Sequence, residues 1–221
     1  MGIDVWVADL DALPLERAAT SILSDDERER ALRFRFEHHR ARFVRCRTVL
    51  RELIARSTGN DPASIAFRYG RHGKPELDGL HFNVSHSDRL AVIAISRDAP
   101  LGIDIERIDR TKEVPGLART AFSAIECDEL RALSPDEQID AFFRGWARKE
   151  AYLKLLGTGF SLASDSFTVS LAPEPLTFVG DIGLRDLDVR SGFACAVATR
   201  DRSAMPVVRD WRGAGFDSPI L

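Results

Sequence analysis

Residues 146–154 read Trp-Ala-Arg-Lys-Glu-Ala-Tyr-Leu-Lys, and this stretch predicts a helix in the second half of the chain. Through residues 139–156, apolar side chains recur at the three- and four-residue spacing of an amphipathic helix. Trp146, Glu150 and Lys154 are four residues apart, so a helix places them on one face. Unpaired charge is costly to bury, so an apolar stripe that continues into two charges indicates a functional site. The alternative is an exposed glutamate–lysine pair, which stabilises a helix by roughly 0.2–0.5 kcal/mol.

Two more acidic residues lie in the alternating stretch Leu101-Gly-Ile-Asp-Ile-Glu-Arg-Ile108, which predicts a strand. Asp104 and Glu106 project from one face of that strand, about 7 Å apart along the chain. Carboxylates held that close repel unless a cation lies between them, and hard oxygen ligands suit Mg²⁺. Glu150 could supply a third carboxylate, and Gly102 fits a close backbone approach or a bend in the strand. The alternative is a half-buried strand with a solvated acidic face.

A third stretch, His81-Phe-Asn-Val-Ser-His-Ser-Asp-Arg-Leu90, precedes the apolar run 91–95 and predicts a hairpin with His86 at its turn. Flanked by two serines, His86 could present hydrogen-bond donors to an anion, or it could make only local turn contacts. Upstream, the loop Gly70-Arg-His-Gly-Lys-Pro75 displays Lys74, which alone would be read as a solvated lysine.

Four motifs occur in one order along the chain: Gly73-Lys74-Pro75, Phe82-Asn-Val-Ser-His-Ser87, Gly102-Ile-Asp-Ile-Glu106 and Trp146-x-x-Lys-Glu-Ala-x-x-Lys154. In this set the chain resembles the Sfp-type (surfactin-synthetase-activating type) 4′-phosphopantetheinyl transferases. The resemblance continues in 121–126 and 157–169, spans about residues 24–170, and fades after Ala172.

The resemblance implies an α+β fold built from a pseudo-twofold pair of similar α/β halves in one chain. Residues 1–100 would form the N-terminal half with coenzyme A phosphate contacts, and residues 101–221 the C-terminal half with metal and catalytic residues. The active site would lie between the two halves. The predicted strands lie near 3–9, 64–69, 80–85, 90–96, 102–108, 165–171, 184–190 and 192–199. The predicted helices comprise one helix or a helix pair from Ser24 to about Arg56, then helices near 115–132 and 136–156.

The same resemblance implies transfer of the 4′-phosphopantetheine group of coenzyme A to a serine of an acyl, peptidyl or aryl carrier protein. The products would be the holo-carrier and adenosine 3′,5′-bisphosphate. Mg²⁺, or Mn²⁺, would be held by Asp104, Glu106 and Glu150, with Glu150 and Lys154 as the catalytic residues. The implied coenzyme A contacts are Arg42, Lys74, Ser85, His86, Asp104 and Lys154. Trp146 would be a packing anchor beneath the site.

Two alternatives remain open at the level of sequence. One is another Mg²⁺-dependent enzyme that acts on a phosphate ester, which would share the acidic residues but need no protein acceptor. The other is a non-catalytic descendant that binds coenzyme A or a carrier protein. The motifs do not distinguish fatty-acid, polyketide, nonribosomal-peptide and siderophore synthesis as the pathway of the carrier.

Composition limits the remaining possibilities. A chain of 221 residues with 44% hydrophobic content can bury a core as one domain or two small ones. The net charge of −3 argues against a nucleic-acid partner, although ten arginines lie in 28–56. Three scattered cysteines fit a reducing cytoplasm, and no apolar run reaches membrane-spanning length. By family resemblance, a chain of this length is expected to be a monomer.

Overall fold

The computed structural model describes residues 2–13, 21–70, 73–213 and 217–219. The strands are β1 (Gly2–Asp9), β2 (Arg68–Tyr69), β3 (Pro75–Glu76), β4 (His81–Ser87), β5 (Leu90–Ser96), β6 (Leu101–Arg107), β7 (Leu176–Val179), β8 (Ile182–Asp186), β9 (Phe193–Thr199), β10 (Met205–Trp211) and β11 (Asp217–Pro219). The helices are α1 (Asp25–Leu32), α2 (Glu37–Thr58), α3 (Val114–Ala121), α4 (Ala124–Arg131) and α5 (Pro135–Leu156).

The two halves share one arrangement, in which three antiparallel strands pair within one sheet and one long helix connects the first of them to the second in sequence. In the first half, β1 pairs with β5 and β5 with β4, with α2 inserted between β1 and β4. In the second half, β6 pairs with β9 and β9 with β8, with α5 inserted between β6 and β8. All four pairings are antiparallel, and α2 and α5 are each 22 residues long. The predicted pseudo-twofold α+β fold is therefore confirmed.

Alternation along the strands explains why the two sheets stack between two helical layers. One face of the first sheet packs on apolar residues of α2, and its other face packs on the second sheet. Ile103 and Val197 of the second sheet face the first sheet, whereas Ala196 and Ala198 face α5. Because side chains alternate along a strand, Asp104 and Glu106 leave β6 on the side of α5.

The local structure agrees with most of the predicted elements and corrects three. The segment 24–56 is a helix pair, and Ser24 with Glu27 forms the predicted capping box of α1. The single helix predicted at 115–132 is wrong, because a second capping box at Ser123 starts α4 as a separate helix. No helix in the described ranges has the length and apolar character needed to cross a bilayer.

Two predicted strands are wrong for a common physical reason. Within 64–69 only Arg68–Tyr69 is a strand, and the carbonyl of Ile65 accepts from the Arg51 guanidinium of α2 at 2.9 Å. The segment predicted as a strand at 165–171 begins in a 3₁₀ turn, and its backbone bonds to side chains of α4 and α5. Side chains therefore satisfy backbone groups that a strand ladder would otherwise use.

The first sheet also contains two strands from the end of the described chain. Strand β10 pairs in parallel with β1, and β11 pairs with β10 at the sheet edge. The division predicted at residue 100 falls between β5 and β6, but residues 205–211 return to the first sheet. Neither β10 nor β11 was predicted from the sequence.

Gly102 marks the closest approach between β6 and α5. A Cβ atom at this position would overlap the carbonyl oxygen of Ala151 and the backbone nitrogen of Leu155. Both neighbours are backbone atoms of a packed helix, so neither can move away without displacing the helix. The close backbone approach expected at Gly102 is therefore present, and it holds α5 against the strand that carries the acidic residues.

We expect Gly102→Ala to lower the free energy of unfolding by about 1–3 kcal/mol, since overpacking forces strand and helix apart. Gly183→Ala is the matched control, because a Cβ there would find its nearest neighbour at an ordinary 3.5 Å. Urea unfolding measures both variants, and the control should stay within about 0.5 kcal/mol of the parent. Equal stability of the two variants would contradict the close packing of α5 on β6.

Candidate active site

A cavity of about 380 Å³ opens between the two halves, and four of the eight predicted site residues line it. Its walls include Arg30, Phe34, Arg47, Tyr69, Lys74 and His86 from the first half, and Glu150, Leu153, Lys154, Gly157 and Gly159 from the second. Clefts between structural units are common ligand sites, and this one combines apolar walls with several cations.

Lys154, Ser85 and Asp104 form a closed cluster beside the cavity. The Lys154 Nζ lies 2.5 Å from Asp104 Oδ1 and 2.8 Å from Ser85 Oγ. Ser85 Oγ in turn donates to the same carboxylate oxygen at 2.8 Å. Burial raises the pKa of Asp104, although the Lys154 charge acts in the opposite direction. The second oxygen, Oδ2, is buried and has no hydrogen-bond partner among the described residues.

Glu106 is held by two neutral donors. Ser87 Oγ donates to its Oε2 at 3.1 Å, and the indole Nε1 of Trp146 donates to its Oε1 at 3.1 Å. Burial and the nearby charge of Asp104 raise the pKa of Glu106 to about 7. Trp146, expected to be only a packing anchor, is thus also a hydrogen-bond donor to the acidic site.

Glu150 lines the cavity one helical turn before Lys154. Burial raises the pKa of its carboxyl, and the charge of Asp104 adds to the effect. Among the described residues, no hydrogen bond or ion pair holds the Glu150 carboxylate. The side chain is therefore available to a substrate or an ion that enters the cavity.

Lys74 crosses the cleft from the first half to the end of α5. Its Nζ donates to the backbone carbonyl of Lys154 at 2.8 Å, and the carbonyl of Leu101 lies at 3.5 Å. Burial is the main reason why the pKa of Lys74 is lowered, with the charge of Lys154 adding to it. The ammonium therefore joins the two halves as well as lining the cavity.

His86 lines the cavity from within β4, so its predicted place at a hairpin turn is wrong. The turn is formed by Asp88 and Arg89, and Asp88 adopts the left-handed conformation with φ 52°. The imidazole keeps solvent access through the open cavity, but surrounding protein partly desolvates it and lowers its pKa, as do nearby cations, chiefly Lys154.

Arg42 does not line the cavity, and neither do Ser85, Asp104 and Glu106 of the cluster beside it. The Arg42 guanidinium donates two hydrogen bonds to the Asp11 carboxylate, from Nε at 2.9 Å and from Nη2 at 2.6 Å. Its Nη1 donates to Asp88 at 2.9 Å. Arg30 and Arg47, which do line the cavity, were not singled out from the sequence. The only signal was the density of arginines in 28–56, in which no single position stood out.

Within the described ranges, no group of three or more histidine, cysteine, aspartate or glutamate side chains forms a ready-made metal site. The chemistry of the acidic residues nevertheless fits a hard divalent cation. Asp104 has a buried oxygen with no hydrogen-bond partner in the described part of the chain, and its charge raises the pKa of both Glu106 and Glu150. A cation with oxygen preference would relieve that mutual repulsion.

Comparison with known proteins assigns the chain to a family. A model described as the 4′-phosphopantetheinyl transferase superfamily matches residues 100–198, and one described as 4′-phosphopantetheinyl transferase, N-terminal, matches residues 15–98. The chain therefore belongs to the 4′-phosphopantetheinyl transferase family, as its sequence motifs predicted.

Two relatives illustrate the extent of the similarity. The 4′-phosphopantetheinyl transferase HetI of Nostoc sp. is 38% identical over 157 residues, which cover 68% of this chain and 66% of HetI. The 4′-phosphopantetheinyl transferase Sfp of Bacillus subtilis is 37% identical over 155 residues, which cover 68% of this chain and 67% of Sfp. The aligned part thus spans about two thirds of each relative, slightly less in HetI.

We expect Glu106→Gln to stabilise the metal-free protein at pH 8 but not at pH 5. The pKa of Glu106 in the folded protein, about 7, lies above its ordinary value of 4.5, so the native state binds the proton more tightly than the unfolded chain. The parent protein therefore loses stability as pH rises through this interval, whereas glutamine has no proton to lose. The difference in unfolding free energy should grow by about 2–3 kcal/mol between pH 5 and pH 8. A difference that is the same at both pH values would contradict the proposed burial of the Glu106 charge.

Proposed function

We propose that this protein transfers the 4′-phosphopantetheine group of coenzyme A to a serine hydroxyl of an acyl, peptidyl or aryl carrier protein. The serine oxygen forms a bond to the phosphorus that carries the pantetheine arm, and the bond from that phosphorus to the adenosine 5′-phosphate breaks. The products are the holo-carrier and adenosine 3′,5′-bisphosphate. The observation that carries the proposal is the cluster of Asp104, Glu106, Glu150 and Lys154 at a cleft between two halves of a family member.

The cations of the cavity suit a ligand with several phosphates. Lys154 can neutralise charge that develops on the transferring phosphoryl group, which is the main task in this type of reaction. Lys74 and His86 enter the cavity from the opposite half, and Arg30 lines it as well. Arg47 also lines the cavity, but its guanidinium is already paired with the buried carboxylate of Glu27. Coenzyme A carries a pyrophosphate and a 3′-phosphate, so its anionic groups match cations spread along the cavity. Arg42 stays a predicted contact, since its guanidinium is already paired with two aspartates.

We propose that Asp104, Glu106 and Glu150 hold Mg²⁺ against the pyrophosphate. When bound, the ion would polarise a phosphoryl oxygen and stabilise the leaving phosphate. Asp104 now shares its Oδ1 with Lys154 and Ser85, but its Oδ2 has no partner among the described residues. The same oxygen donors suit Mn²⁺, so the identity of the ion stays a prediction.

Glu150 is the group proposed to take the proton of the carrier serine, directly or through a water molecule. A general base works best when its pKa is close to the operating pH, and burial shifts the pKa of Glu150 upward toward that range. Its carboxylate faces the cavity one turn from Lys154, so base and phosphate-binding cation lie side by side. No contact in the described structure favours a phosphate-ester hydrolase or a non-catalytic binder.

The monomeric state stays a prediction that rests on the family resemblance. A cytoplasmic location and the absence of a nucleic-acid partner stay predictions that rest on the scattered cysteines and on the net charge of −3. The division of labour between residues 1–100 and 101–221 also stays a prediction, because the cavity draws residues from both.

Intact-mass spectrometry of an apo carrier protein, incubated with this protein, coenzyme A and Mg²⁺, tests the reaction. We expect the carrier to gain the mass of one phosphopantetheine, and the gain to disappear with chelator or with Glu150→Gln. Glu129→Gln, which changes an exposed carboxylate on α4, is the matched control and should transfer normally. Normal turnover by Glu150→Gln would remove the proposed base, and no transfer to carriers of all three types would refute the function.

Lys154→Met should lower kcat about 10²–10³-fold and weaken coenzyme A binding much less, because the ammonium acts mainly on charge that develops during transfer. Methionine keeps the aliphatic stem, which limits the loss of packing. Single-turnover kinetics and calorimetric titration with coenzyme A separate the two effects. Lys112→Met, at an exposed lysine beyond β6, is the control. A loss confined to coenzyme A affinity would make Lys154 a binding residue only.

A further inference from the structure

Glu106 differs from the other two acidic residues in how it is held. Asp104 has one oxygen bonded to Lys154 and Ser85 and one without a partner among the described residues, and no described contact holds Glu150. Both oxygens of Glu106, in contrast, accept one hydrogen bond each. The donors are Ser87 of the first half and Trp146 of the second. The orientation of this single carboxylate is therefore fixed from both sides of the cleft.

The direction of the Ser87 hydroxyl is set by a third group. The backbone N–H of Arg107 donates to Ser87 Oγ at 3.0 Å, so that oxygen is already an acceptor. The hydroxyl proton is left to point at Glu106 Oε2, 3.1 Å away. Ser85, two residues earlier on β4, has the same arrangement, since it accepts from Lys154 and donates to Asp104. Two serines on one face of β4 thus each orient one carboxylate of β6.

Trp146 contributes an indole N–H, which can donate a hydrogen bond but cannot accept one. Indole has one N–H and no acceptor, so its Nε1 fixes Glu106 Oε1 without adding an alternative hydrogen-bond pattern. The ring packs against the apolar core around α5, which holds the indole in place. Because Trp146 is one turn before Glu150 on α5, the same helix face carries the donor and the proposed base.

Neutral donors have a particular consequence for a carboxylate that must bind a cation. A lysine or arginine at the same distance would orient Glu106 but would also cancel its charge and compete with an incoming ion. A serine hydroxyl and an indole N–H orient the carboxylate without a positive charge that would cancel its own. Groups that hold a metal ligand from behind are known to control metal affinity by about 10–100-fold.

We infer that Ser87 and Trp146 are positioning residues that hold the Glu106 carboxylate in place as a ligand for the divalent cation of the transfer reaction. The inference rests on the proposed function, because it assumes that a cation binds at Glu106. It adds two residues to the site, one from each half. The role of Trp146 thereby extends from packing to alignment of the metal ligand.

Mn²⁺ binding to the chain of 221 residues, followed by electron paramagnetic resonance without coenzyme A or carrier, tests the inference apart from activity. Ser87→Ala and Trp146→Phe should each weaken Mn²⁺ binding about tenfold, and the double variant should bind still more weakly. Phenylalanine keeps an aromatic ring but has no N–H. Trp6→Phe, in the first-half core against Trp211, and Ser166→Ala, in an exposed turn, are the controls and should bind like the parent.

A conservative variant and a spectroscopic signal separate positioning from mere stability. Ser87→Thr keeps the hydroxyl and should restore the Mn²⁺ affinity that Ser87→Ala loses, which keeps the inference testable even if Trp146→Phe does not fold. The chain has three tryptophans, so its ¹⁵N spectrum should show three indole N–H signals, and the Trp146 signal is the one absent from Trp146→Phe. Diamagnetic Mg²⁺ and Glu106→Gln should each shift that signal.

The outcomes distinguish the inference from the function on which it rests. If the parent transfers phosphopantetheine and binds Mn²⁺, but Ser87→Ala and Trp146→Phe bind it equally well, the inference is wrong and the function stands. If the parent transfers the group without binding Mn²⁺, the inference and the metal assignment are both wrong. If the parent neither transfers nor binds the ion, the proposed function fails as well.

Discussion

A row of polar side chains on β4 reaches across to β6, and the arrangement of the whole site depends on this contact. The Asn83 side-chain oxygen accepts from the backbone of Ile103, while Ser85 and Ser87 donate to Asp104 and Glu106. From Asn83 to Ser87, every second side chain of β4 thus contacts β6, at the boundary between the first and the second half of the chain. A slip of one residue would turn every one of these groups to the opposite face. The sheet register is therefore also the register of the acidic site.

The close packing of α5 on β6 completes the site from the second side. Gly102 lets the helix backbone approach the strand, so Glu150 and Lys154 reach the level of Asp104. The cluster keeps carboxylates in surroundings that raise their pKa values, which is unfavourable unless a cation or a substrate compensates it. Buried carboxylates with raised pKa values are common where a protein binds charged ligands. They lower the free energy of unfolding, and the apolar layers of the fold must compensate for that loss.

Hydrophobic periodicity predicted the helices and strands whose pattern lies within one segment of sequence. It could not predict which side chains from other segments contact them. The alternation in 101–108 and the helical spacing in 139–156 suffice for β6 and α5, because each pattern lies within one segment. The donor role of Trp146 toward Glu106 joins residues 40 positions apart, and no local pattern contains it. The strand predicted at 165–171 is wrong for the same reason, since Lys149 on α5 donates to the carbonyl of Phe167 within that segment. The motifs located most of the site residues, whereas Arg30 and Arg47 emerge only when the helices pack around the cavity.

The parallel pairing of β10 with β1 has a consequence for how the chain acquires its structure on the ribosome. Asp4 and Arg209, on these two strands, form an ion pair across 205 positions of sequence. While synthesis proceeds from the N-terminus, β1 can pair with β5 early, but its other edge stays open until β10 has emerged. An open strand edge is a template for unwanted pairing, so a nascent chain would carry this liability through nearly the whole of its translation. The second half is thus completed before the first, although its residues are made later.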